Sequence, residues 1–109
     1  MRTVFLGVVG VAFCAGQALA VEAHRVKYPT VGCFDRGLLE RAGELRNDDR
    51  SGAAGVLLGS ALEAGECLRL QPGILVTVED SDIVAGLTRV RAQDEPRAIW
   101  VRHRALDSD

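Results

Sequence analysis

Side chains able to perform covalent chemistry are few and scattered along this chain. The histidines are His24 and His103, and neither has a serine or cysteine at the spacing of a recognisable catalytic motif. Ser60 follows Gly59 directly, so it does not occupy the Gly-x-Ser-x-Gly turn that exposes a hydrolase nucleophile. Ser51 stands where a helix is expected to begin, a position that favours serine for backbone reasons. We therefore interpret the chain as a non-enzyme.

Carboxylates occur in three short groups, each at a predicted turn or helix start. They lie at residues 48–49, at residues 79–82 and at residues 94–95. Aspartate is favoured at such positions by local backbone hydrogen bonds alone, and a glycosidase pair needs a sugar cleft for which this chain has little room. The second group, Glu79, Asp80 and Asp82, does not match the spacing of an EF-hand calcium loop. The sequence predicts no metal site and no cofactor.

The first twenty residues have the pattern of a secretory signal peptide. Arg2 is followed by an apolar run over residues 4–15, and Ala18-Leu19-Ala20 supplies small residues at the positions that a signal peptidase reads. A membrane anchor is the alternative, but the uncharged stretch is only just long enough to span a bilayer. We expect cleavage before Val21, which leaves no membrane span.

Charge and cysteine count both change when this segment is removed, because Arg2 and Cys14 leave with it. Twelve basic groups then face fifteen acidic groups, a formal charge of −3 that argues against a nucleic-acid binder held by phosphate contacts. In an oxidising compartment the two remaining cysteines, Cys33 and Cys67, are expected to form a disulfide. A redox-active or metal-binding pair is the alternative, but the two lie far apart and no histidine flanks them.

Two helices are predicted between these cysteines. Asp35 is expected to cap the first helix, and residues 47–49 interrupt the pattern and offer a cap for the second. The second helix is expected to run to about Ala64, where Gly65 can adopt the left-handed conformation that ends it. The apolar stripes of the two helices are Leu38, Leu39, Ala42 and Leu45, and Ala54, Leu57, Leu58, Ala61 and Leu62.

Three glycines, Gly52, Gly55 and Gly59, fall within the second helix, where each costs roughly 1 kcal/mol relative to alanine. We interpret them as allowing a close approach of the first helix. Two short helices joined by a tight turn pack antiparallel, which places Cys33 and Cys67 at the ends that meet. The disulfide would then stabilise the fold by roughly 3 to 4 kcal/mol.

After Cys67 the hydrophobic pattern has a period of two, which is typical of strands. Strands are predicted at residues 68–70, 74–79, 83–92 and 97–101, with turns at residues 71–73, 80–82 and 93–96 and a bulge at Gly86. Such short strands indicate a small antiparallel barrel or curled sheet of about four to five strands. The predicted class is α+β: an extended lead-in over residues 21–32, a helical hairpin over 33–66 and a β-barrel over 67–109.

Motifs in the strand region carry a resemblance to a known family. A Leu-x-x-Gly-x-x-Val-x-Val run ends at Val78 and is followed by Trp100-Val101 and by Leu106 in the short tail. Over residues 68–106 this arrangement resembles a bacterial Src-homology-three-like barrel. With the helical pair in front, the whole mature chain is similar to small exported periplasmic proteins of proteobacteria. The resemblance implies binding of peptides, peptidoglycan or a partner protein.

Residues suited to recognising a partner lie on the last two predicted strands. If the last strand continues, Trp100 shares a face with two arginines while Ile99 and Val101 face the core. The candidate binding residues are Trp100, Arg102, Arg104, Arg89 and Arg91. Tryptophan and arginine dominate interface hot spots. The alternative is that Trp100 packs under the helical hairpin and that the arginines are simply solvated.

We therefore expect a non-enzymatic periplasmic or secreted module of a Gram-negative bacterium. Its ligand would be an envelope protein or a peptidoglycan fragment, with no role in binding nucleic acid. A secreted inhibitor or accessory subunit of an envelope enzyme is the second possibility, and it would use a protruding loop such as residues 80–82. A small hydrolase is the least favoured.

Overall fold

The computed structural model describes residues 22–107 of the chain, and the predicted signal peptide lies outside this range. The described residues form two helices and six strands. In chain order these are β1 (Glu22–Arg25), β2 (Thr30–Cys33), α1 (Arg36–Asn47), α2 (Ser51–Glu63), β3 (Cys67–Leu70), β4 (Leu75–Asp82), β5 (Leu87–Ala92) and β6 (Ile99–Arg102). A single 3₁₀ turn, His103–Ala105, follows β6. Within residues 22–107 no helix is long and apolar enough to cross a membrane.

The six strands form one antiparallel open sheet in the order β1-β4-β5-β6-β2-β3. The α+β class is therefore confirmed, whereas the expected strand number of four to five is wrong. The additional strands, β1 and β2, come from the segment expected to be an extended lead-in. Each has four residues, too few for an alternating pattern to stand out, and each pairs with strands that are distant in sequence.

The disulfide between Cys33 and Cys67 is confirmed, with an S–S distance of 2.06 Å. The two cysteines lie directly opposite each other on β2 and β3, and both are buried. Because β2 leads into α1 and β3 follows α2, the bond closes the open end of the helical hairpin, as the sequence indicated.

Two apolar clusters lie on opposite sides of the sheet. The helix-side cluster contains Cys33, Leu39, Ala42, Leu45, Ala54, Leu58, Ala61, Cys67 and Leu87. The second cluster contains Val26, Leu70, Val76, Val90, Ala92, Ile99, Val101 and Leu106. Ile99 and Val101 thus face the core as expected, while Trp100 between them points toward the helices. The sheet therefore presents the predicted binding face on its helix side.

Two of the predicted helix ends are confirmed and a third is not. Asp35 caps α1, since its Oδ1 accepts a hydrogen bond from Gly37 N at 3.0 Å, and Gly65 ends α2 with a φ of 78°. The expected cap of α2 at residues 47–49 is wrong. Asp48 instead ends α1 and Asp49 adopts a left-handed φ of 59°, so the N-cap position falls to Arg50, which makes no side-chain cap.

The glycines of α2 do not mediate a close helix contact. A Cβ added at Gly52, Gly55 or Gly59 would meet no atom of residues 22–107 within 4 Å, so our interpretation of these glycines is wrong. The buried residues of α2 are Ala54, Leu58 and Ala61, and the two alanines among them keep that face of the helix narrow. In α1, by contrast, a Cβ at Gly43 would lie 3.0 Å from a guanidinium nitrogen of Arg102.

The hairpin that joins β4 to β5 is longer than the sequence indicated. Residues 80–82, predicted as a turn, belong to β4, and the reversal occurs at residues 83–86, where Gly86 has a φ of 71°. The register shift lies between Val78 and Asp80 rather than at Gly86. The Asp82 carboxylate explains why the chain reverses after residue 82. It accepts a hydrogen bond from Ala85 N at 3.1 Å and so stabilises the turn at residues 83–86.

Candidate functional site

The structure divides the five candidate binding residues into two neighbouring groups on the helix side of the sheet. Trp100 on β6 stands directly opposite Arg89 on β5, and Arg91 lies two residues further along the same strand. Arg102 and Arg104 lie beyond Trp100, at the end of β6 and in the 3₁₀ turn. The two groups differ in whether carboxylates accompany the arginines.

Trp100 is half-buried and contacts the apolar cluster beneath the helices. Two guanidinium groups lie over its ring: that of Arg36 at 4.8 Å from the centroid and that of Arg89 at 5.8 Å. Both distances fall within the range of a cation–π interaction. Trp100 therefore already has cationic partners from α1 and β5 within its own chain.

Carboxylates of β4 complete this first group, which we call the paired cluster: Arg36, Glu79, Asp82, Arg89, Arg91 and Trp100. Arg91 Nε donates to Glu79 Oε2 at 2.7 Å, and Arg89 Nε lies 4.0 Å from Glu79 Oε1. Arg36 Nη2 donates to Asp82 Oδ2 at 2.6 Å and also to Glu40 in α1. The cluster links α1 to β4 and β5 by charge.

The arginines shift the ionisation of both carboxyl groups. The hydrogen bond from Arg91 lowers the pKa of Glu79 below its ordinary value. The hydrogen bond from Arg36, with a further one from Ala85 N, lowers the pKa of Asp82. Both groups are therefore ionised at neutral pH, and together with Glu40 of α1 they balance the three arginines of the paired cluster.

The second group, which we call the basic cluster, consists of Arg46, Arg102 and Arg104. Arg46 lies in the last turn of α1, and the three arginines line two adjoining cavities of about 480 and 270 Å³. Arg102 Nη2 donates to the backbone carbonyl of Leu39 at 3.0 Å. Within residues 22–107 none of the three guanidinium groups forms an ion pair. Burial, together with Arg46 and Arg104, lowers the pKa of Arg102.

The turn between β4 and β5 carries the most exposed aliphatic side chains of the described chain. We call residues 83–86 the hairpin tip. Ile83 is 91% exposed and Val84 is fully exposed, at 100%. The tip is anchored beneath: Gly86 O accepts a hydrogen bond from His103 N at 2.8 Å, and Asp82 caps the turn. It is thus a fixed apolar projection beside the basic cluster.

Comparison with known protein families, curated proteins and solved structures found no match to this chain. The resemblance to a Src-homology-three-like barrel accordingly stays a prediction. The surface features of residues 22–107 that bear on function are the paired cluster, the basic cluster and the hairpin tip.

Both histidines have partners within the fold. His24 Nδ1 lies 3.0 Å from the carbonyl oxygen of Asp107, and His103 Nδ1 shares a hydrogen bond of 3.0 Å with Thr88 Oγ1. Thr88 is only 1% exposed, so this hydroxyl is enclosed by the protein. Residues 22–107 contain no group of three or more side chains placed to hold a metal ion. The hydrogen bond between Thr88 and His103 positions His103 and, with it, the turn that carries Arg104.

Sequence reasoning missed four residues that contribute to these surfaces. Arg36 and Arg46 belong to α1, and nothing in a helical pattern shows which strand residues they will meet. Ile83 and Val84 lie in the segment predicted as a strand, and both are β-branched, a residue type whose strand preference depends on context. The signal in the sequence for the turn at residues 83–86 was the aspartate at position 82 and the glycine at position 86, since both residue types are favoured in tight turns.

Proposed function

We propose that this protein is a non-enzymatic exported binding module that recognises a partner protein of the cell envelope. The observation that carries the proposal is the hairpin tip, where Ile83 and Val84 are 91% and 100% exposed on a turn fixed by hydrogen bonds. These two consecutive aliphatic side chains are exposed to water in the free protein. Covering them with a partner removes apolar surface from water, which favours association.

The surroundings of the tip favour a protein ligand. The basic cluster adjoins it, because Ala85 and Gly86 line the same cavity as Arg46, Arg102 and Arg104. Protein interfaces combine an apolar core with a polar rim, and arginine is enriched in them relative to the rest of the surface. The pre-formed tip also lowers the ordering cost of association. Action as an inhibitor or accessory subunit of an envelope enzyme fits the same surface, with residues 83–86 replacing the predicted loop at residues 80–82.

A pull-down that compares the wild-type protein with a variant of the hairpin tip tests this proposal. The oxidised protein is immobilised and exposed to a periplasmic extract, in parallel with an Ile83→Ser/Val84→Ser variant. Val56→Ser is the matched control, since Val56 is 73% exposed on α2, away from the tip. We expect the wild-type and control proteins to retain one stoichiometric partner that the double variant loses. Equal retention by all three proteins, or by none, contradicts the proposal.

Sedimentation with isolated peptidoglycan separates the cell-wall alternative from a protein ligand. A protein that recognises a cell-wall fragment sediments with the polymer in a salt-dependent way. If it sediments, and the Ile83→Ser/Val84→Ser variant sediments equally, the ligand is a cell-wall component and the tip is not its contact. Absence from the pellet, with a partner retained from the extract, supports the protein ligand.

A further inference from the structure

The basic cluster brings together three like charges from three separate elements. Arg46 comes from the last turn of α1, Arg102 from the end of β6 and Arg104 from the 3₁₀ turn. All three line both of the adjoining cavities of about 480 and 270 Å³. Their guanidinium groups therefore share the space between α1 and the end of the sheet.

The arginines elsewhere on the helix side of the sheet have carboxylate partners. Arg36 pairs with Asp82 and Glu40, and Arg91 pairs with Glu79. In the part of the chain that the structure describes, the arginines of the basic cluster form no such pair. The chain is acidic overall, so the composition does not explain the lack of carboxylates at this place.

The position of Arg102 is built into α1. Its Nη2 donates to Leu39 O at 3.0 Å, and Gly43 leaves room for the guanidinium against the helix backbone. Glycine in a helix interior costs roughly 1 kcal/mol relative to alanine. The remaining N–H donors of Arg102 are available to the cavities, on which Tyr28 and Asn47 also border.

We propose that Arg46, Arg102 and Arg104 form a binding site for an oxyanion, a carboxylate or a phosphate group. The planar guanidinium matches both groups by paired N–H···O hydrogen bonds. An anion between the three arginines replaces their mutual repulsion by attraction, and the half-buried position of Arg102 strengthens that attraction. This site goes beyond the contact at the hairpin tip and can be tested without a partner protein.

Titration of the ¹⁵N-labelled, oxidised protein with inorganic phosphate and with succinate, at constant ionic strength kept with sodium chloride, tests the site. We expect saturable NMR shifts confined to residues 43–47 and 102–104. Saturation by either anion supports the site and identifies the chemical form that fits it. Shifts that grow linearly with both anions, or that appear evenly over the surface, overturn the proposal.

Single substitutions then locate the binding groups. A hydrogen bond to a charged group contributes about 1.5 to 3 kcal/mol, so Arg102→Gln is expected to weaken anion binding by roughly 10-fold or more. Arg46→Gln and Arg104→Gln change exposed side chains, keep the fold and are expected to weaken binding by at least about 3-fold. Arg69→Gln is the control, because Arg69 is an exposed arginine on β3 that borders a different cavity. Equal affinity of the Arg46, Arg104 and Arg69 variants and the wild-type protein overturns the site even if the Arg102 variant fails to fold.

Discussion

At the scale of single residues, Trp100 owes its position to charge as well as to burial. Its ring packs on the helix-side apolar cluster and lies under the guanidinium groups of Arg36 and Arg89. A partner that contacts this ring therefore has to approach alongside arginines that are already engaged with Glu79 and Asp82. We therefore propose the hairpin tip and the basic cluster, whose arginines form no ion pair within residues 22–107, as the first contact of a partner in preference to Trp100.

Substitution of Trp100 measures how much its ring contributes to the stability of the fold. We expect Trp100→Ala to lower the free energy of unfolding by about 2 kcal/mol, below the range for fully buried tryptophan because the ring is half-exposed. Trp100→Phe keeps an aromatic face for both arginines and should lose less than about 1 kcal/mol. Urea unfolding followed by far-UV circular dichroism measures both. Unchanged stability of the alanine variant would show that the ring contributes nothing to the packing.

Acid should weaken the fold through the paired cluster. The pKa values of Glu79 and Asp82 are lowered by Arg91 and Arg36, so these carboxylates stabilise the folded state above their unfolded pKa of about 4. That contribution disappears as the pH falls through the lower folded-state values. We expect a urea midpoint that is steady from pH 7 to about pH 5 and that drops below about pH 4.

An Asp82→Asn variant isolates one carboxylate in this pH dependence. We expect its urea midpoint to lie below that of the wild-type protein at pH 7 and to approach it as the pH falls and Asp82 of the folded wild-type protein becomes protonated. Glu63→Gln changes an exposed carboxylate of α2 that forms no ion pair with any residue in the described range 22–107, and it should leave the profile unaltered. Parallel curves for the wild-type and Asp82→Asn proteins at every pH would mean that the pair with Arg36 does not form in solution.

At the scale of elements, the two helices use glycine differently. A Cβ at Gly55 of α2 meets nothing within 4 Å, so Gly55→Ala should raise the free energy of unfolding by about 0.5 to 1 kcal/mol. At Gly43 of α1 the same change places Cβ 3.0 Å from Arg102 Nη2, and the guanidinium has to move. We expect Gly43→Ala to gain less stability and to shift the Arg102 side-chain NMR signal. Equal gains at both positions would show that Gly43 does not position Arg102.

The elements that could be predicted from sequence are those specified by local chemistry. Asp35 as a cap and Gly65 as a terminator are decided by the nearest turn of backbone, and the structure confirms both. β1 and β2 could not be predicted in this way, because four-residue strands are stabilised by partners that lie elsewhere in the sequence. The predicted cap of α2 was wrong because residues 48 and 49 form the turn between the two helices, and a local pattern does not show where that turn ends.

The candidate site follows the same division. Alternation along β6 correctly predicted that Ile99 and Val101 face the core and that Trp100 lies on the other face. Successive side chains of a strand point to opposite faces of the sheet, so the sequence period suffices for this prediction. The separation of the arginines into a paired and an unpaired group depends on α1, which crosses that face. No pattern along the chain shows that Arg36 meets Asp82 or that Arg46 meets Arg102, so the cluster composition required the three-dimensional fold.

At the scale of the whole molecule, one sheet separates two modest apolar clusters, and the disulfide lies where the helices join it. Cys33 belongs to a strand that pairs with both β3 and β6. The bond therefore joins the two strands at one edge of the sheet, β2 and β3, at the mouth of the helical hairpin. A disulfide of this kind is typical of small exported domains whose cores are limited by size, although export of this chain remains a prediction.

Loss of the disulfide should be the most destabilising change to the fold as a whole. The bond joins residues separated by 34 positions, and in the chain-entropy model it stabilises the folded state by about 3 to 4 kcal/mol. For a domain of this size, the Cys33→Ala/Cys67→Ala variant should therefore melt at least about 12 °C below the wild-type protein. Reductant should lower the melting temperature of the wild-type protein and leave that of the variant unchanged. Labelling of two thiols in the unreduced, denatured wild-type protein would contradict the bond, because Cys33 and Cys67 then could not be joined in solution.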